Sequence, residues 1–332
     1  MPPLTGPEPD GLHPVLRTAA YAVVRQGESV LLARASERSD FEGRWFLPGG
    51  GVRHGEHPRD GVLRELLEET GVVGARPRAL LADSDVIDLP HRGARVHTLR
   101  LLYDVTTKEP PVLRAEADDT TDEARFVTPE ELRRLPLMPF VARVLGLPAD
   151  EVEASEPKRP LPLVDLPRTT IVPDPGGGEP GVAATGDAER PVVVQRPAAY
   201  AALFQDERVL LAHVTGSNGT WTLPGGGIDF GEHPVDALIR EMYEETGLPF
   251  TPGPLLDVIS RHFTGRAPTG RLEDFHGISL VYSGSVPVGL EPRVTEVDGS
   301  TDAVAWHHVD ELDRIRAVAT VHEAVRRWRQ RR

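Results

Sequence analysis

Two sets of three glutamates share one spacing in this chain: Glu65, Glu68 and Glu69 in the first half, and Glu241, Glu244 and Glu245 in the second. At about 100° per residue, the i, i+3, i+4 spacing puts the carboxylates of each set on one helix face. Like charges so placed destabilise a helix slightly when nothing neutralises them. A hard divalent cation reverses that cost, because carboxylate and carbonyl oxygens suit Mg2+ or Mn2+. A lone Glu-Glu pair near a helix end is ordinarily a solvated surface feature, so the chemistry must be read from the wider pattern.

That pattern is a stretch present twice, GGVRHGEHPRDGVLRELLEETGV at residues 50–72 and GGIDFGEHPVDALIREMYEETGL at residues 226–248, preceded by WFLPG and WTLPG. Pro58 and Pro234 are expected at the first helical position, where a missing N–H costs nothing. Gly71 and Gly247 are expected to end each helix in the left-handed conformation. Val62, Leu63, Leu66 and Leu67 form an apolar stripe beside the carboxylates, which predicts a packed helix. The glycine run before each helix reads as a loop whose backbone can approach a metal and an anionic ligand.

Each copy fits G-x5-E-x7-R-E-U-x-E-E-x-G-U, with U aliphatic, at every fixed position. In these residues the chain resembles the Nudix hydrolase family twice over. The resemblance implies two tandem Nudix-type α/β/α sandwiches with mixed sheets, and metal-dependent cleavage of a diphosphate bond in a nucleoside diphosphate linked to another moiety. It makes Glu68 and Glu69 metal ligands, with Glu65 either a ligand or the general base, and the carbonyl of Gly49 completing the shell. Arg64 and Glu56 would orient the glutamates. In the second copy the same roles fall to Glu244, Glu245, Glu241, Gly225, Arg240 and Glu232. The cofactor implied is Mg2+ or Mn2+. Glu123 stands where some relatives carry a further metal-binding or catalytic acid, whereas the second half has Ala303 there beside Asp302. Turnover is therefore expected to fall mainly on the first half.

The substrate class so implied is an ADP-ribose-like or sugar-linked nucleotide. The alternatives are a house-cleaning nucleoside triphosphate pyrophosphatase, or one half serving as a non-catalytic ligand-binding module. With 51 acidic against 37 basic residues, the net charge of -14 argues against nucleic acid or a membrane surface as partner and leaves a small nucleotide. The chain has no cysteine, hence no disulfide and no thiolate nucleophile. It shows neither a signal-peptide pattern nor a run of about 18 apolar residues, so a cytoplasmic protein is expected. Contact between domains, or a homodimer, stays open.

The repeat extends beyond the glutamates. Hairpins are expected at residues 19–25 with 29–34, and again at 198–204 with 208–213, with further strands at 78–84 and 96–105. HTLRLLY from His97 is matched by HGISLVY from His276, and TDEARFV from Thr121 by TDAVAWH from Thr301. The organisation expected is a disordered leader at 1–13, domains at 14–147 and 191–332, and a Pro/Gly-rich linker at 148–190. A tail helix over 317–331 should pack through Val318, Val321, Val325 and Trp328. Tyr21, Phe46, Tyr103, Tyr200, Phe263 and Tyr282 read as packing before they read as a base slot. Arg261, His262, Arg266 and Arg271 either meet phosphates or face water.

Overall fold

The computed structural model describes residues 11–107, 112–114, 120–147, 190–267, 269–295 and 299–330. The expected linker, but for residue 190, and the leader up to residue 10 lie outside the described residues. Contacts divide the chain into two compact units, Met1–Gln195 with Ser260–His276, and Arg196–Ile259 with Gly277–Arg332.

The first unit is built on β1 (His13–Gln26), β2 (Ser29–Ala35), β3 (Trp45–Phe46), β4 (Gly49–Gly51), α1 (Pro58–Thr70), β5 (Arg76–Leu89), β6 (Ala94–Thr106), β7 (Thr121–Val127), α2 (Pro129–Leu132) and α3 (Pro139–Leu145). Its sheet runs β3-β2-β1-β6-β5, with β4 paired to β1 and β7 to β2. The β1 and β6 strands pair in parallel from His13 opposite Ala94 to Val24 opposite Val105, and the other pairings are antiparallel. This is the mixed sheet expected. Successive β1 side chains point to opposite faces. Ala19, Tyr21 and Val23 join a core with Phe140 and Val141 of α3, while Ala20, Ala22 and Val24 are buried on the face that α1 covers.

Two expectations need correction here. The β1 strand starts at His13, with Leu12 already buried, inside the span expected as leader, because the long parallel partner β6 carries pairing into polar sequence. The glycine run is not a loop but the strand β4, with Ala19, Ala20 and Tyr21 opposite Gly51, Gly50 and Gly49. Lack of side chains permits it: a Cβ on Gly49 would stand 2.2 Å from the Ala20 carbonyl oxygen.

The second unit continues with β8 (Val192–Ala201), β9 (Phe204–Gln205), β10 (Arg208–Val214), β11 (Thr220–Thr222), β12 (Gly225–Gly227), α4 (Pro234–Thr246), β13 (Thr251–Arg266), β14 (Leu272–Ser285), β15 (Thr301–His308), β16 (Arg316–Ala317) and α5 (Ala319–Gln330). Its sheets run β12-β8-β14-β13 and β15-β10-β11-β16, with β9 on β10. Residues 192–195 of β8 and residues 260–276, across β13, β14 and their turn, fall in the first unit. The tail helix starts two residues later than expected, and Val321 and Val325 enter the core with Val209, Leu211 and Leu223. Trp328 stacks on Phe204 with ring centroids 4.8 Å apart.

Both glutamate helices have the ends their sequences predict. Pro58 and Pro234 are the first helical residues, and Gly71 (φ 73°) and Gly247 (φ 63°) close the helices in the left-handed region. Each N-cap is a histidine, His57 or His233, whose Nδ1 accepts the N–H of Arg59 or Val235. An imidazole nitrogen thus does what a Ser or Asp oxygen usually does at this position. On α1, Val62 and Leu66 are fully buried, contributing about 1.5–3 kcal/mol each. Leu67, expected in the apolar stripe, is 49% exposed: the buried face is centred on Val62, Leu66, Glu69 and Thr70, and Leu67 is turned away from it.

Candidate active site

The burial that turns Leu67 outward also separates the three carboxylates. Glu69 is 4% exposed, and its Oε2 accepts the backbone N–H of Gly49 at 2.8 Å. Glu65 is half-buried against Gly50, where an added Cβ would lie 2.7 Å from its carboxyl carbon. Glu68 lies at the solvent edge. The α1 helix supplies the carboxylates and β4 the bare backbone that lets them approach.

Arg64 ties the group together. Its Nε and Nη2 donate to Glu56 at 2.8 and 2.9 Å, Nη1 to Glu65 at 2.6 Å and Glu68 at 3.1 Å, and Nη2 also to the Gly51 carbonyl at 3.1 Å. A guanidinium has five N–H donors, and all are engaged. The hydrogen bond that Arg64 donates to Glu56 leads the factors that hold its guanidinium well above the ordinary pKa. Burial pushes the Glu65 carboxyl up, with Arg64 pulling it the other way and Arg17 adding a smaller pull.

The second copy repeats this geometry. Arg240 donates to Glu232 twice at 2.9 Å, to Glu241 at 2.7 Å, to Glu244 at 3.2 Å and to the Gly227 carbonyl at 3.1 Å. Glu245 accepts the Gly225 N–H at 2.7 Å and a short hydrogen bond from Thr301.

Glu123 does not join the cluster. The β2/β7 register sets it opposite Arg34, whose Nη1 lies 3.1 Å from one of its oxygens, with Arg125 3.4 Å from the other. Among the described residues no hydrogen bond or ion pair links it to the box glutamates. Both arginines lie over the Trp45 ring, so Glu123 braces that stack. In the second half Asp302 pairs with His213 at 2.5 Å, and His213 and His307 flank Trp221. The Glu123 to Ala303 change thus accompanies an Arg34 to His213 change on the neighbouring strand. In the 261–271 segment, Arg266 donates to the Gly270 carbonyl, Arg271 pairs with Glu273, and His262 is 2.6 Å from Asp274.

A cavity of about 410 Å³ opens on the first box. Glu65, Glu69 and Gly49 to Gly51 line it, and Tyr21, Phe41, Phe46 and Phe140 contribute aromatic walls. Tyr21 and Phe46 thus reach the cavity, while Tyr103 and Tyr282 are buried packing residues and Phe263 is exposed. Three residues that sequence reasoning missed stand out. Arg17 lines the cavity, its guanidinium 3.5 Å from where a Gly51 Cβ would be, and Arg196 takes the same place at Gly227. The signal was present as RTAAYA from Arg17 and RPAAYA from Arg196. Arg100 also lines the cavity, 3% exposed, with Nη1 2.7 Å from Asp85 and Cζ 4.5 Å from the Phe140 ring centre. Its Nε has no hydrogen-bond partner.

Both boxes thus set an arginine-bound glutamate helix against a glycine strand. The NUDIX domain model matches residues 15–146 and 194–328, and the chain belongs to that family. It is 31% identical over 131 residues to an ADP-ribose pyrophosphatase of Methanocaldococcus jannaschii, covering 39% of this chain and 69% of that protein. It is 35% identical over 123 residues to an RNA pyrophosphohydrolase of Novosphingobium aromaticivorans, covering 32% of this chain and 73% of the other. A MutT NUDIX hydrolase structure from Burkholderia pseudomallei aligns at 29% identity and a TM-score of 0.33, over 40% of this chain and 97% of that one.

Proposed function

We propose that the protein hydrolyses the diphosphate bond of a nucleoside diphosphate linked to a second moiety, of the ADP-ribose or nucleotide-sugar kind, with Mg2+ or Mn2+. The observation that carries this is a cavity lined by Glu65, Glu69 and the glycine strand together with aromatic rings and buried Arg100. Likeness to an ADP-ribose pyrophosphatase supports it.

The donor set fits a hard cation: it is all oxygen, crowded against backbone that bears no Cβ at Gly50 and Gly226. Glu65, Glu68, Glu69 and the Gly49 carbonyl would hold it in the first half, and Glu241, Glu244, Glu245 and the Gly225 carbonyl in the second. Such a cation, when bound, neutralises phosphate charge and lowers the pKa of a water. The chain's own residues do the rest. Glu65 is placed to take a proton, Arg17 to meet a phosphate oxygen, and Tyr21 and Phe46 to hold a flat base. Arg100 Nε offers a buried donor to an acceptor on the second moiety. The acidic balance favours a small nucleotide over nucleic acid or membrane and is in keeping with a cytoplasmic location; among the described residues no helix is long and apolar enough to cross a membrane.

A panel of ADP-ribose, nucleotide sugars and nucleoside triphosphates, each with Mg2+ or Mn2+, tests the reading by nucleotide release. Cleavage confined to triphosphates would overturn it. Chelation should abolish turnover, and Mg2+ at 100 times its Kd should stabilise the fold by about 2.7 kcal/mol, read as a raised Tm; full activity after chelation would refute the metal assignment. Arg100→Lys should raise KM about 10- to 100-fold with kcat little changed, because hydrogen bonds from charged groups contribute about 1.5–3 kcal/mol and lysine lacks the Nε donor. An unchanged KM removes Arg100 from the site. Residues 14–147 and 191–332 are proposed as the two domains; limited proteolysis of the full chain should cut first within 148–190.

A further inference from the structure

We propose that His54, His262 and Asp274 form a second kind of metal site in this protein, one for a borderline transition cation of the Zn2+ class. All three lie in the first compact unit. His54 belongs to the turn between β4 and α1, and His262 and Asp274 to the hairpin of residues 260–276.

Asp274 offers a different oxygen to each imidazole. Its Oδ1 is 2.6 Å from His262 Nε2 and its Oδ2 is 3.3 Å from His54 Nε2. One ligand atom from each residue lies within 4.8 Å of the other two. Tetrahedral bonds of about 2.0–2.2 Å hold ligand atoms roughly 3.4 Å apart, so small side-chain rotations close the site and leave a fourth position for water. Two imidazoles and one carboxylate select differently from the all-oxygen glutamate clusters: nitrogen donors suit Zn2+, oxygen donors Mg2+ or Mn2+.

The surroundings hold the three residues in place. Gly55 has φ +77°, and a Cβ there would come within 2.9 Å of His262 Nδ1, so the His262 ring lies directly on the turn backbone. Behind them His276 is fully buried. Its Nδ1 accepts the Gly55 N–H at 3.1 Å, which leaves the proton on Nε2, 2.8 Å from Ser260 Oγ. The His54 and His262 rings stand edge-on to His276, with centroids 5.6 and 6.2 Å away. Through these two hydrogen bonds His276 ties the turn to the hairpin. Such outer partners fix the orientation of first-contact ligands. A cation here would clip the turn that presents Glu56 to Arg64.

The test is Zn2+ titration of the chelator-stripped full chain by calorimetry, with excess Mg2+ occupying the oxygen sites. A Zn2+ event weakened at least tenfold in both His262→Ala and Asp274→Asn, and kept in Glu68→Gln/Glu244→Gln, is the expected result. Unchanged affinity in the first two variants, or loss only in the glutamate variant, overturns the proposal and leaves the trio a hydrogen-bonded surface cluster. Should those variants fail to fold, the 15N resonances of the His54 and His262 imidazoles in the unaltered protein decide: a shift with Zn2+ supports the site, and no shift overturns it.

Discussion

Glu65→Gln is expected to lower turnover about 10²- to 10⁴-fold, the usual cost of losing a positioned general base, while Glu241→Gln leaves most of that turnover in place. The asymmetry does not come from Glu123, which Arg34 and Arg125 hold away from the box. It is expected from the cavity walls, where Phe46 and Arg100 of the first half correspond to Thr222 and Ser279 of the second. Glutamine keeps the size of the side chain and can still accept from Arg64, but it cannot take a proton. The two kcat values should be compared on one substrate at saturating Mg2+, with circular dichroism confirming the fold of both variants. If Glu241→Gln were the more damaging change, the second site would be the principal catalyst. Equal losses would make the two boxes one functional unit.

Gly49→Ala should be the most destabilising single methyl in the first unit. The added Cβ would meet the Ala20 carbonyl oxygen at 2.2 Å and the Tyr21 Cα at 2.6 Å. Backbone atoms in a paired strand cannot step aside, so β4 would have to leave β1. The Gly49 N–H would then leave Glu69, a buried carboxylate, and a lost hydrogen bond to a charged group costs about 1.5–3 kcal/mol. Clash and lost hydrogen bond together put the loss at about 4 kcal/mol or more. Gly225→Ala should behave alike, its Cβ being 2.2 Å from the Ala199 oxygen. Gly74 is the control, because its φ is +66° with nothing within 4 Å of an added Cβ. Alanine there should cost only the left-handed penalty of about 1–2 kcal/mol. Equal midpoints for Gly49→Ala and Gly74→Ala in urea would show that the strand yields after all.

The helix ends were legible in the sequence because they rest on local chemistry, Pro at the first turn and Gly at the stop, whereas the Arg64–Glu56 pair and the mixed-sheet class came with the family resemblance. What escaped depends on partners far away in the chain. No local signal shows that the glycine run is a strand, since its pairing is supplied by residues 19–21. Leu67 fits a helical apolar stripe, yet periodicity does not say where the stripe ends, and the sheet leaves Leu67 outside. Glu123 sits in an acidic run, but the β2/β7 register, not its neighbours, decides that it meets Arg34. Arg100 reads as one polar residue in an apolar strand until Asp85 and Phe140 surround it.

The five-way engagement of Arg64 and of Arg240 also bears on how the two copies have drifted apart. At positions interleaved with the site they differ freely: Arg53 against Asp229, His54 against Phe230, Arg59 against Val235, Leu67 against Tyr243. The residues that the two guanidiniums touch do not differ at all: Gly51 and Gly227, Glu56 and Glu232, Glu65 and Glu241, Glu68 and Glu244. A hub with no spare donor cannot trade one spoke for another, since a replacement that removes an acceptor strands an N–H without a second acceptor ready to receive it. The cluster is inherited whole or lost whole, and a duplicate that gave up catalysis would be expected to shed several of these residues together rather than one by one.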